Sequence, residues 1–181
     1  MGVPRLEIIT AVREPIGLGL AAVFENYRSF APNPKSLTPE LCSQLLQRYP
    51  GMLKSLEAWF ERELKPMTGI DVYEQPFPHE KGYAIYENRF ARVLVYRFEA
   101  LSRLTTMMRE FLGFENLSII SRNIGSAKQY GTQYTCAKTS LRLAGQFITA
   151  HCNSKLMRHF YNDEERRALE RKWRCEDLQV C

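Results

Sequence analysis

No stretch of this sequence is long and apolar enough to cross a membrane. The longest weakly polar run, Ile16 to Phe24, has nine residues and includes two glycines, about half of what a spanning helix needs. A signal peptide is missing as well, since Pro4, Arg5, Glu7, Arg13 and Glu14 surround only a short Ile8-Ile9 pair. A cytoplasmic location is therefore expected. Metal chemistry has little to build on. The five cysteines, Cys42, Cys136, Cys152, Cys175 and Cys181, are odd in number, widely spaced and without a C-x-x-C pair, so neither a disulfide framework nor a zinc site is signalled. The three histidines, His79, His151 and His159, show neither H-x-x-x-H nor H-E-x-x-H spacing, and no metal is expected.

What is present is an ordinary globular composition. In 181 residues, 45% are hydrophobic and 25% charged, enough for one domain with a sizeable core and incompatible with a disordered tail or a coiled coil. Lys and Arg exceed Asp and Glu by five, a mild basic excess that suits an anionic ligand. The cations Arg158, Arg166, Arg167, Arg171, Lys172 and Arg174 alternate with Asp163, Glu164, Glu165, Glu170, Glu176 and Asp177. That pattern fits a solvated helix with i,i+4 pairs rather than a stripe tracking phosphates, so no nucleic-acid partner is expected.

Periodicity organises the chain. Leu6 to Val12 reads as a strand that stops at Arg13-Glu14-Pro15. Pro15 opens a helix, with Ile16, Leu20, Val23, Phe24 and Tyr27 on one face, and Pro32-Asn33-Pro34 ends it. Thr38 reads as the N-cap of a second helix with a Leu41, Leu45, Leu46, Tyr49 stripe. A third helical pattern runs through Leu53, Leu56, Trp59, Phe60 and Leu64 and closes at Pro66. Gly69 to Tyr73 and Gly82 to Tyr86 are β-prone, and Val93 to Tyr96 is the strongest strand, the kind buried on both faces of a parallel sheet. Glu99 to Leu112 reads as a helix with Leu101, Leu104, Met107, Met108 and Phe111 inward. Leu117 to Ile120 is β-like, and helical patterns follow around Ser126 to Ala137, Leu141 to Thr149 and Asp163 to Trp173. Strands alternating with helices imply an α/β fold with a mostly parallel sheet and a helix-rich C-terminal half. No repeat or linker divides it, so residues 1–181 are expected to form a single domain.

In such a fold the ligand site lies at the carboxyl ends of the strands, where helix N-termini offer unpaired N–H groups. Arg13 holds that place after the first strand. Its guanidinium suits a bidentate grip on phosphate, and the helix opening at Pro15 adds backbone donors; a pairing of Arg13 with Glu14 or a neighbouring loop is the alternative. Glu99 reads as a catalytic carboxylate, a member of a buried ion pair or a cap. Asp71 and Glu63 read as a general base, or as a loop cap and an exposed helix residue. Lys128, Tyr130 and Tyr134 could reach a nucleotide, or pack a helix into the core. Trp59, Trp173, Phe60 and the methionines read as core.

The stretch Thr10 to Tyr27 (TAVREPIGLGLAAVFENY) resembles the strand-turn-helix with which sulfotransferases bind the 3′-phosphate of 3′-phosphoadenosine 5′-phosphosulfate. The chain as a whole is similar to the bacterial capsular polysaccharide synthesis proteins, themselves sulfotransferase-like. Arg13-Glu14-Pro15, Phe24 with Asn26, Trp59-Phe60 with Glu63, Gly69 to Tyr73, Lys81-Gly82-Tyr83, Val93 to Leu101, Asn123 with Lys128-x-Tyr130 and Tyr134, His159-Phe160-Tyr161 and Lys172-Trp173 carry the likeness. The resemblance implies a partial P-loop, sulfotransferase-like parallel sheet. It also implies sulfuryl transfer from that nucleotide to a glycan hydroxyl or amine, with Arg13, Lys128 and Tyr130 at the nucleotide.

Two departures bear on this. Where that pattern has a second basic residue and a serine after the turn, this chain has Leu18 and Ala21. Neither side chain can donate to a phosphate, and each lost charge-assisted bond costs about 1.5–3 kcal/mol. The Gly-rich loop and lysine that cradle the phosphosulfate are not found before Arg13. The expectation is an N-terminally incomplete sulfotransferase-like domain that self-associates or takes a complementing chain. A non-catalytic structural or interaction module is the competing expectation.

Overall fold

A computed structural model describes residues 5–49, 58–120 and 124–174. The chain divides into two compact units. The first comprises Met1–Arg13, Ser55–Ile120 and His159–Asn162, the second Glu14–Lys54, Ser121–Arg158 and Asp163–Cys181.

The first unit is built on a three-stranded sheet of order β1-β3-β2, with β1 at Leu6–Val12, β2 at Tyr83–Glu87 and β3 at Ala91–Arg97. β1 runs parallel to β3, Ile8 beside Val93 and Thr10 beside Val95. β2 runs antiparallel to β3, with Ala84 opposite Val95. The sheet is therefore mixed, not the mostly parallel sheet expected. The reason is local: Asn88 accepts from Phe90 N at 2.8 Å and Ala91 N at 2.9 Å through its side-chain oxygen. A turn that tight can join only antiparallel strands. Val93, Leu94 and Val95 are fully buried, as the apolar run requires.

One face of the sheet carries Tyr83 and Leu94 packed on Met107 and Phe111. The last two project from a helix at Leu104–Leu112, which stops at Gly113 in the left-handed conformation (φ 73°). Residues Phe98–Arg103 before it form a 3₁₀ helix rather than the first turns of an α-helix. With three residues per turn instead of 3.6, Leu101 leaves the inward stripe and is exposed. On the same face Arg92 bridges the strands, 3.6 Å from Glu7 and 3.4 Å from Glu87. Both carboxylates are about half exposed, so each pair contributes at most about 1 kcal/mol.

Three further expectations change here. The third helical pattern does not close at Pro66. Phe60–Leu64 makes a π turn, with Lys65 N bonded to Phe60 O, and Lys65–Thr68 continues as α-helix to Gly69 at φ 71°. Pro66 has no N–H for the Arg62 carbonyl, and the wider π turn absorbs that loss. Leu53 and Leu56 lie outside the described residues. Gly69 to Tyr73 is a turn, not a strand, because Asp71 accepts from Tyr73 N at 2.9 Å and pairs with Lys65 at 2.7 Å. Leu117 to Ile120 forms no strand, and Ile120 is exposed. Met67 is also exposed rather than core, whereas Met107 and Met157 are fully buried.

An ion-pair and hydroxyl cluster closes the helix side of the sheet. Tyr83 Oη donates to Glu110 at 2.5 Å and Lys81 Nζ to the same carboxylate at 3.0 Å. These bonds, Tyr83's first, hold the Glu110 carboxyl below its ordinary range. A depressed carboxyl stabilises the fold above the ordinary carboxylate range and loses that contribution as pH falls through its lowered value. Tyr83→Phe is therefore expected to lower the urea midpoint at about pH 7, and to lower it by progressively less as pH falls below the ordinary carboxylate range. An equal loss throughout would show that the hydroxyl acts without the carboxylate.

The second unit is helical: Pro15–Glu25 (α1), Pro39–Arg48 (α2), Gly131–Ser140 (α3), Gly145–Cys152 (α4) and Asp163–Trp173 (α5). Lys155–Phe160 forms a further short helix, whose residues up to Arg158 belong to this unit and whose His159 and Phe160 belong to the first. The α1 face is the expected one, with Ile16, Leu20, Val23, Phe24 and Tyr27 all buried. They pack with Cys42, Leu46, Ala137, Leu141, Leu143, Ile148 and Trp173. Thr38 caps α2 by accepting from Leu41 N at 3.2 Å. On α2 the buried positions are Cys42 and Leu46, and Tyr49 stands exposed. The two C-terminal helical patterns start later than expected, at Gly131 and Gly145, and Leu141 and Leu143 are buried from the segment between them. That segment is pinned by Leu143 N donating to Trp173 O at 2.9 Å. Among the described residues no helix is long and apolar enough to cross a membrane.

Candidate functional site

The carboxyl ends of the parallel pair, β1 and β3, gather the chemically capable groups of the first unit. Arg13 follows β1, half-buried, with its guanidinium carbon 4.5 Å above the Phe98 ring. A guanidinium held over an aromatic face at a strand end is a group suited to an oxyanion.

Arg97, the last residue of β3, is buried. Its Nη2 donates to His79 O at 2.6 Å and its Nη1 to Phe160 O at 3.4 Å, and the group lies 5.3 Å from the Tyr161 ring centroid. His79 Nε2 is 3.0 Å from His159 O. Tyr161 Oη donates to Glu99 at 2.8 Å. Arg97 thus ties the strand end to two loops, and Glu99 lies beside Tyr161. Phe60, Tyr73, Phe77 and His159 surround Phe160, with Phe77 4.9 Å and His159 4.6 Å from it.

The α1 N-terminus differs from the expectation that it adds donors. Glu14 is buried and accepts from Gly17 N at 2.8 Å, while Leu18 N bonds Glu14 O at 3.0 Å. Pro15 has no N–H. The protein's own carboxylate occupies the place an anion would take, because an acidic N-cap is the strongest partner for those donors.

Lys128 and Tyr130 belong to the second unit, and the structure brings them together with Glu25. Lys128 donates a very short bond to the Glu25 carboxylate and lies 5.6 Å from the Tyr130 ring. That hydrogen bond, above all, pushes the Lys128 pKa up and pulls the Glu25 carboxyl down. Tyr130 is buried, 5.5 Å from Phe24 and 6.4 Å from Tyr134, and burial raises its pKa. Gln129 donates to Tyr27 Oη at 2.9 Å. A phosphate on Lys128 would have to displace Glu25.

Of the remaining candidates, Asp71 is the loop cap described above and Glu63 is an exposed helix residue. Burial pushes the Cys42 and Cys152 thiols up to about 12, which excludes both as nucleophiles near neutral pH. Among the described residues no group of three or more His, Cys, Asp or Glu is placed to hold a metal ion. Asn123 lies outside the described residues. The contribution of His79 was not visible in the sequence. The signal for it is a charged residue at the end of a buried strand: Arg97 had to find acceptors, and the loop after Pro78 supplies one.

Comparison with known families assigns the chain. Residues 37–162, well over half of its length, match the NKWYS family model, described as "Putative capsular polysaccharide synthesis protein". The chain belongs to this family. The NKWYS match contains β2, β3, Lys128, Tyr130 and Tyr161, and it begins after β1 and Arg13. No curated protein and no solved structure matches the chain significantly.

Proposed function

We propose that this NKWYS-family chain serves capsular polysaccharide synthesis by holding an anionic nucleotide, the sulfuryl donor 3′-phosphoadenosine 5′-phosphosulfate or its product, for sulfuryl transfer to a glycan hydroxyl or amine. The single observation that supports this best is Arg13: a half-buried guanidinium, 4.5 Å from the Phe98 ring centroid, at the carboxyl end of a strand parallel to the central one. Such strand ends are where α/β sheets take their ligands.

The residues present fit one end of that nucleotide and not the other. Arg13 suits the 3′-phosphate. With Glu14 on Gly17 N, and with Leu18 and Ala21 lacking donors, the grip is weaker than a full set of charge-assisted bonds would give. For the phosphosulfate, no glycine-rich turn bearing a lysine follows a strand among the described residues. No transfer step is therefore assigned to residues of this chain. Lys128 and Tyr130 enter this reading only through the family resemblance, and a ligand on Lys128 would have to displace Glu25.

The experiment that tests this reading is compositional. Cells that make the protein are compared with cells lacking it, and with cells restored by the intact chain or by Arg13→Ala. Sulfate in the surface polysaccharide is expected to fall on loss, to recover with the intact chain and not to recover with the variant. Unchanged sulfate with an altered capsule would favour the non-catalytic module, as would full recovery by Arg13→Ala.

A further inference from the structure

β1 lies at the edge of its sheet. Leu6 N bonds Phe90 O, so in the parallel ladder the backbone groups of Leu6, Ile8, Thr10 and Val12 point at β3. Those of Glu7, Ile9 and Ala11 point away, and no partner strand meets them among the described residues. An open edge normally carries a protecting device: a proline, a lysine, a bulge or a short strand. This one has seven residues, Leu-Glu-Ile-Ile-Thr-Ala-Val, with none of those residues and a single charge. Leu6 and Ile9 are 45% and 43% exposed. β-branched residues and low charge are what strand pairing favours.

The edge is self-complementary in one register. Antiparallel pairing needs the outward residues, which are odd-numbered, opposite one another. With a two-fold axis at Thr10, Ile9 faces Ala11 of the second copy, Ile8 faces Val12, and Glu7 faces Arg13, each pair occurring twice. Shifting the axis to Ile9 would instead set Arg5 opposite Arg13, a like-charge pair that is unfavourable. The opposed residues share one side of the sheet, as a two-fold axis perpendicular to it requires.

We propose that the edge of β1 is a homodimer interface, in which two copies pair β1 antiparallel about Thr10 into a six-stranded sheet of order β2-β3-β1-β1-β3-β2. At its two ends Glu7, which also pairs with Arg92 of its own sheet, comes opposite Arg13 of the second copy. This interface does not rest on the nucleotide reading: a chain that binds no nucleotide can still dimerise through β1.

Sedimentation velocity on the whole chain over a concentration series tests it. The intact protein is expected to be dimeric. Ile9→Lys, which places the usual edge-protecting charge at an exposed position, is expected to raise the dimer dissociation constant by about tenfold or more with unchanged circular dichroism. Register is read by charge reversal: Glu7→Arg and Arg13→Glu each weaken the dimer, and the double variant restores it. A monomeric intact protein overturns the proposal and leaves the edge to a strand of another chain. A dimer insensitive to Ile9→Lys overturns it equally, because the association then lies elsewhere. Failure of the double variant to restore the dimer refutes the Thr10 register.

Discussion

Replacing Arg97 by alanine is expected to lower the stability of the protein by about 3–5 kcal/mol. The part-buried carbonyl of His79 and the buried one of Phe160 would each lose a donor, at about 1–3 kcal/mol for a group left unsatisfied. The space left by the side chain adds a cavity term. Arg97→Met separates the two contributions, since it restores volume without donors. Methionine is expected to recover the smaller part. Lysine, with one charged point in place of a fork, cannot reach both carbonyls and should recover little more. Urea denaturation gives the stabilities, and hydrogen exchange at the β3 amides reports whether the strand end is the part that loosens. A methionine variant as stable as the intact protein would mean that Arg97 acts as a filler and that the loops carrying His79 and Phe160 are held by their aromatic contacts.

Gly131→Ala is the second large effect. At this first residue of α3 an added Cβ would stand 2.1 Å from the Ser126 carbonyl oxygen and 2.7 Å from its carbon. Both are backbone atoms, so a side-chain rotation cannot relieve the contact. Alanine is favoured over glycine in a helix by about 1 kcal/mol, yet overpacking against backbone costs about 1–3 kcal/mol or more. The clash therefore wins. The expected result is a lower melting temperature together with displacement of the turn at residues 125–131, which carries Lys128 and Tyr130. Because Tyr130 packs on Phe24, its ring resonances report that displacement directly. A melting temperature raised by the substitution would show that helix propensity prevails and that the turn relaxes at no cost.

Much of the architecture was legible, for reasons that differ by element. β1 and α5 match the sequence boundaries because each has a hard punctuation mark: Arg13-Glu14-Pro15 after the strand, and an acidic first turn opening at Asp163. The α1 face was readable because its large side chains, Ile16, Leu20, Val23 and Phe24, recur at helical spacing and are the ones buried. The sheet's direction was misread. Between Tyr86 and Val93 there are too few residues for a crossover, and Asn88 is a turn former, so the hairpin was available from loop length alone. The strength of the Val93 to Tyr96 run as a buried strand suggested a parallel sheet, but a central strand is buried on both faces whichever way its neighbours run.

The departures at Phe98–Arg103 and Phe60–Leu64 were not legible from periodicity. A 3₁₀ stretch and a π turn each shift the inward face by a fraction of a turn, and an average period conceals that shift. At the candidate site the sequence marks Arg13 by position, and the structure places its half-buried guanidinium over Phe98. Glu14 shows where such reasoning fails. A helix N-terminus after a strand is an anion site only if the chain leaves it open, and a glutamate at the N-cap position fills it. Lys128 likewise reads as a free cation in sequence, whereas its partner, Glu25, lies far away along the chain.

The claim that Arg13 holds an anionic nucleotide is tested most directly by calorimetric titration of the whole chain with adenosine 3′,5′-bisphosphate, which needs no acceptor. Micromolar binding is expected, lost in Arg13→Ala and weakened less in Lys128→Ala, with circular dichroism unchanged in both. No heat of binding from the intact chain, or equal affinity in Arg13→Ala, would contradict the account and make the non-catalytic module the better description.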